Sequence, residues 1–130
     1  MSRPKAPAAT ADHAPPDLFN ALRDILLRHR DALQVVHDDA DHFYANSHKA
    51  DAKGKAQFLG AVKVSGRRHA FHFMPVYDFP DLLDGIGPAL KKRMQGKSCF
   101  HFEAGEPALL AELQALVDRG VARYEEAGKI

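Results

Sequence analysis

From Asp17 to about Val36 the apolar residues Leu18, Phe19, Leu22, Ile25, Leu26, Leu33 and Val36 recur at intervals of three and four. That spacing predicts an amphipathic helix entered through Pro16 and Asp17, with the charged residues on its other side. The period then changes. His42 to Asn46, Gln57 to Val64 and His69 to Met74 are rich in aromatic and β-branched residues, and Phe58, Val62 and Val64, like Phe71 and Phe73, are spaced to share a strand face. Ser65-Gly66 predicts a tight hairpin between the second and third strands, and the polar stretch His48 to Lys55 a loop between the first and second. Pro75 and Pro80 close this region, Phe79 to Leu83 reads as a helical turn, and Pro88 suits the first position of a short helix ending near Met94, before Gly96. Ser98 to Glu103 alternates as a fourth strand. A last helix runs from Glu106-Pro107 through Leu109, Leu113, Leu116, Val117, Val121 and Tyr124 to a stop at Gly128. The order α-βββ-α-β-α predicts a two-layer α+β domain, a mainly antiparallel sheet of about four strands with terminal helices on one face.

Residues 1–16 contain four prolines and several alanines, and no aliphatic side chain larger than alanine beyond Met1, so they are expected to form a disordered tail ahead of a single domain over residues 17–130. The lone Cys99 rules out an intramolecular disulfide and suits a reducing, cytoplasmic setting. No apolar run approaches the ~20 residues of a membrane span. Eighteen basic residues against seventeen acidic ones argue against a dedicated nucleic-acid binder.

Chemistry concentrates in four places. The run His37-Asp38-Asp39-Ala40-Asp41-His42 combines carboxylates with imidazoles, donors that suit ferrous iron, manganese or zinc. Asp17, Asp24, Asp31 and Asp38 recur every seven residues, a loose carboxylate stripe if the helix carries them, and the alternative is a solvated helix exit with an ordinary Asp24–Arg28 pair. His72 and His101 alternate with phenylalanines in their strands, so both face outward if the phenylalanines face the helices, where they would hold a ligand or simply meet solvent. Gly85-Ile86-Gly87 leading into Lys91, Lys92 and Arg93 offers a turn able to cradle an anion at a helix start, the alternative being a tight loop with a solvated basic face. Cys99 should share a strand face with His101, as an activated thiol requires, although cysteine is often buried and inert. No Cys-x-x-Cys, nucleophile elbow or nucleotide loop is present in the sequence.

The block Leu90 to Phe102, with Lys-Lys-Arg-Met-Gln-Gly-Lys-Ser-Cys-Phe at its centre, together with His72-Phe73-Met74-Pro75-Val76-Tyr77 and Leu82 to Ile86, resembles the YdhG-like family of small bacterial domains. The likeness spans about Leu18 to Tyr124. It implies an α+β fold with helices on one face of an antiparallel sheet and, from some members, a frataxin-like intracellular iron chaperone. The chain departs from the family pattern at its first strand, where Asp41-His42-Phe43-Tyr44-Ala45 stands in place of a Trp-Gly pair followed by proline. The resulting expectation is a non-catalytic binding or carrier protein, with weak Fe(II) binding at His37, Asp38, Asp39, Asp41 and His42. The alternative is a protein- or ligand-interaction module on the outer sheet face around His72, His101 and Tyr77. A third is weak nucleic-acid binding through Gly85, Gly87 and the Lys91–Arg93 helix.

Overall fold

The computed structural model describes residues 16–130. The expected tail therefore lies outside the described residues, apart from Pro16, which opens helix α1 (Pro16–Leu27). Five strands follow, β1 (Gln34–Asp38), β2 (His42–Ala50), β3 (Ala56–Ser65), β4 (Arg68–Phe73) and β5 (Cys99–Phe102), antiparallel and in sequential order across one sheet. Between β4 and β5 lie α2 (Met74–Asp78), a 3₁₀ turn (Pro80–Gly85) and α3 (Pro88–Lys91), and the chain closes with α4 (Pro107–Glu126). The α+β class stands, with five strands rather than four. No helix among the described residues is long and apolar enough to cross a membrane.

The extra strand corrects the first helix. α1 stops at Leu27, a 3₁₀ turn spans Arg30–Ala32, and Leu33 and Val36, expected on the helix, belong to the approach to β1 and to β1 itself. Consecutive β-branched Val35 and Val36 favour a pleated chain over a helix. The aspartate stripe dissolves with it, since Asp31 lies in the 3₁₀ turn and Asp38 in β1. Arg28 lies outside α1 and reaches Asp118 at 3.8 Å.

One layer of helices covers one sheet face. Phe43, Leu59, Val62, Phe71, Phe73, Phe100 and Phe102 project into a single core with Leu18, Leu22 and Leu26 of α1 and Leu113, Val117 and Tyr124 of α4. A β-bulge sets the parity of β3. Ala45 pairs with Gly60 but Asn46 pairs with Phe58, which leaves an extra residue on β3 at Leu59–Gly60. Leu59 and Val62 both point inward as a result, and Phe58, expected on the face of Val62 and Val64, turns outward. Gly60 lets α1 approach, since a Cβ there would lie 3.0 Å from the Leu26 side chain and 3.1 Å from the His72 carbonyl.

The free edge of β5 is covered. The Gln95 N–H donates to the Cys99 carbonyl at 2.8 Å and the His101 N–H to the Arg93 carbonyl at 2.7 Å, so residues 93–95 fold back over that edge through Gly96. At the other end of the chain, Gly128 (φ +76°) ends α4. Its N–H donates to Glu125 and that of Lys129 to Tyr124, the paired bonds of a Schellman cap. The Lys129 carbonyl accepts from the buried Ser47 hydroxyl at 2.7 Å, which ties the C-terminus to β2.

His69 is an inward-facing polar residue, 1 % exposed. Burial holds its pKa below the ordinary 6.5, opposed in part by the Arg67 backbone. The unfolded chain thus binds a proton that the folded chain refuses. Stability from this residue is complete above about pH 6.5 and is lost as pH falls through the lower folded value, by up to about 1.4 kcal/mol per pH unit. Urea unfolding followed from about pH 8 to pH 5 should show this decline, and His69→Leu should make it shallower. His72 and His101, shifted in the same direction, leave a residual slope.

Candidate functional site

The opposite face of the sheet carries no helix among the described residues. Antiparallel pairing brings His37 of β1 opposite Tyr44 of β2, and Tyr44 opposite Ala61 of β3. The Tyr44 and Phe58 rings stack at 4.8 Å, the outward turn of Phe58 at the bulge being what makes this pair possible. His42, Tyr44, Phe58, Ala61, Ala70 and His72 line an open, mostly apolar groove of about 380 Å³. His37, His42, His72 and His101 stand on this face.

The acidic run is the turn of the β1–β2 hairpin, not a helix exit. The Asp39 N–H donates to the His42 carbonyl at 2.8 Å, closing the turn. His37 and His42 stack with ring centroids 5.1 Å apart. One donor atom from each of His37, Asp39 and His42 falls within 4.8 Å of the other two. His37 and Asp39 are exposed and His42 half-buried, so an ion held there would keep open positions for water.

The other two carboxylates of the run lie elsewhere. Asp38, one residue from His37 along a strand, faces the helical side and accepts from Arg23 Nη1 at 3.0 Å. Asp41 sits exposed in the turn, its backbone carbonyl accepting from the Val64 N–H. Side-chain alternation along β1 explains the split between His37 and Asp38.

His72 and His101 stand on the outer face of adjacent strands, β4 and β5. Tyr77 does not join them: it projects from α2, in the helical layer, and is 53 % exposed. Between the two histidines lies Cys99, directly opposite His72 in the pairing register. Its Sγ is 3.6 Å from His72 Nε2 and 3.5 Å from His101 Nε2. Burial pushes the Cys99 thiol up and both imidazoles down, the latter helped by the charges of His101 on His72 and of Arg68 on His101. A resting thiolate–imidazolium pair, the form a nucleophilic cysteine uses, is thereby disfavoured.

The glycine turn is occupied from within. The Gly87 N–H donates to the Glu112 carboxylate of α4, and the Arg119 guanidinium lies 3.1 Å from where a Gly85 Cβ would stand. α3 is a four-residue helix whose first residue, Pro88, has no N–H to offer. The expected anion cradle is corrected on those grounds: an internal carboxylate already takes the donor, and the two glycines serve the packing of this loop on α4. Lys91 and Lys92 are exposed, while Arg93 is half-buried and its carbonyl pairs with β5.

Comparison of the chain with protein-family models, with curated proteins and with solved structures finds no match.

Proposed function

We propose that this chain is a binding or carrier protein that takes a divalent ion, ferrous iron in its most concrete form, at His37, Asp39 and His42. The observation that carries the reading is the convergence of two imidazoles and one carboxylate at the β1–β2 turn, with all three donor atoms within 4.8 Å of one another. Two histidines and one carboxylate with open positions form the donor set that suits non-haem Fe(II). Exposure at a hairpin tip favours weak, exchangeable binding, as a carrier needs and a resident cofactor site does not. Membership of the YdhG-like family, some members of which are described as iron chaperones, belongs to the same proposal. Cytoplasmic location belongs to the proposal, because a lone cysteine and a ferrous cargo both suit a reducing compartment.

Anaerobic calorimetric titration with Fe(II) separates this site from a diffuse acidic surface. His37→Ala, Asp39→Ala and His42→Ala should each weaken binding by at least about 10-fold, since loss of a direct ligand should cost no less than loss of its outer-shell partner. Asp38→Ala and Asp41→Ala should leave the affinity within about 2-fold of the parent, because neither carboxylate belongs to the trio. Equal losses in all five variants would refute the assignment.

The groove supports a second reading, a ligand-interaction module. A planar apolar group laid on the stacked Tyr44 and Phe58 rings would meet His42 and His72 at the groove wall. Co-purification of a small molecule that Tyr44→Ala and His72→Ala release would favour it.

A further inference from the structure

We propose that His72, Cys99 and His101 form a second metal site, which takes Zn(II) through one sulfur and two imidazole nitrogens. The pairing of β4 with β5 sets His72 opposite Cys99, and the two-residue strand repeat sets His101 on the same face. Each imidazole Nε2 already lies at 3.5–3.6 Å from Sγ. A tetrahedral ion with bonds of about 2.3 Å to sulfur and about 2.0–2.1 Å to nitrogen holds those atoms about 3.6 Å apart. Both sulfur–nitrogen edges of a coordination shell are therefore at their required length, whereas the two imidazole nitrogens stand more than 4.8 Å apart and must close up on the ion.

The two rings reach the sulfur from different directions, His72 across the strand pair and His101 along the strand. An ion at the centre turns them toward each other, and an uncovered face leaves room for that. His101 Nδ1 is buried and has no hydrogen-bond partner among the described residues. Burial keeps both imidazoles in the neutral form that ligates. On binding, the S–H bond breaks, its proton leaves to solvent, and the sulfur pair forms the bond to zinc. Three protein ligands leave a fourth position for water or another donor. Arg68, Lys92, Arg93 and Glu103 line a small polar pocket beside His101.

This site differs in kind from the hairpin trio. A thiolate selects soft and borderline ions, whereas the carboxylate of Asp39 suits harder ones. Cobalt(II) titration of the full chain, in a reductant free of thiols, reads the difference directly. The expected result is a thiolate-to-cobalt charge-transfer band in the near ultraviolet, abolished by added Zn(II) and absent in Cys99→Ser. His72→Ala and His101→Ala should each weaken Zn(II) binding by at least about 10-fold while leaving the amide spectrum of the core unchanged. Because those two residues lie on the open face, they decide the matter even if Cys99→Ser does not fold. A combined His37→Ala, Asp39→Ala, His42→Ala variant should keep the charge-transfer band, so failure of the hairpin site and failure of this one are distinguishable. No such band at saturating cobalt, a band that survives in Cys99→Ser, or histidine variants with parental affinity would each overturn the proposal.

Discussion

Phe100→Ala should lower the free energy of unfolding by about 3–5 kcal/mol, the range seen when a large buried aromatic is truncated. Phe100 is fully buried in β5, pairs with Phe71 of β4 and belongs to the core shared by α1 and α4. The residue also anchors an edge. Met94 forms a bridge with it, and the flanking bonds from Gln95 to Cys99 and from His101 to Arg93 hold the covering segment in place. The cavity left by alanine would thus loosen both the core and the cover over β5. Against a total stability of about 5–15 kcal/mol for an ordinary domain, that is a large share. Urea unfolding at neutral pH measures it, and a loss under about 1 kcal/mol would show that β5 is not packed as described.

Gly120→Ala should destabilise the fold by about 1–3 kcal/mol, although the same change in an exposed helix stabilises by about 1 kcal/mol. Gly120 lies inside α4, where propensity alone favours alanine. A Cβ there, however, would stand 2.4 Å and 2.6 Å from two ring atoms of Phe73 and 3.1 Å from Cβ of Pro75. Phe73 is fully buried and cannot swing aside into solvent. Either the ring leaves its rotamer or α4 lifts from the sheet, and the packing loss exceeds the gain in helix propensity. A Gly120→Ala variant with a raised unfolding midpoint would contradict this close approach of α4 to the junction of β4 and α2.

Much of this architecture is legible in the sequence because one face of each element is buried. Phe71 and Phe73, or Phe100 and Phe102, announce strands by their spacing, and the Leu109-to-Tyr124 pattern announces α4 in the same way. β1 carries no such signal. All five of its residues are exposed, so no alternation of apolar and polar positions marks it. Leu33 and Val36 meanwhile fall at helical intervals from α1, so the apolar periodicity runs past the true end of the helix at Leu27. The outward turn of Phe58 was hidden for another reason: a one-residue bulge inverts the parity of everything on one side of it, and only Gly60 marks the place.

The candidate sites divide along the same line. The His37-to-His42 run stands out by composition, but which donors converge depends on its being a hairpin. In a strand His37 and Asp38 face opposite ways, which sends Asp38 to Arg23 and leaves Asp39 to close the trio. The closeness of Cys99 to His101 follows from local spacing. The approach of His72 does not, because β4 and β5 are separated by α2, the 3₁₀ turn and α3, and their adjacency is a property of the whole fold.

The most direct test of the account is an amide NMR titration of labelled protein with anaerobic Fe(II), in which the paramagnetic ion broadens the signals nearest to it. The expected result is saturable broadening that begins at residues 37–42 and reaches Tyr44, with the amides of α4 unaffected at stoichiometric metal. Broadening that spreads without saturation over exposed carboxylates and histidines would contradict it, and would reduce the hairpin trio to a solvated turn.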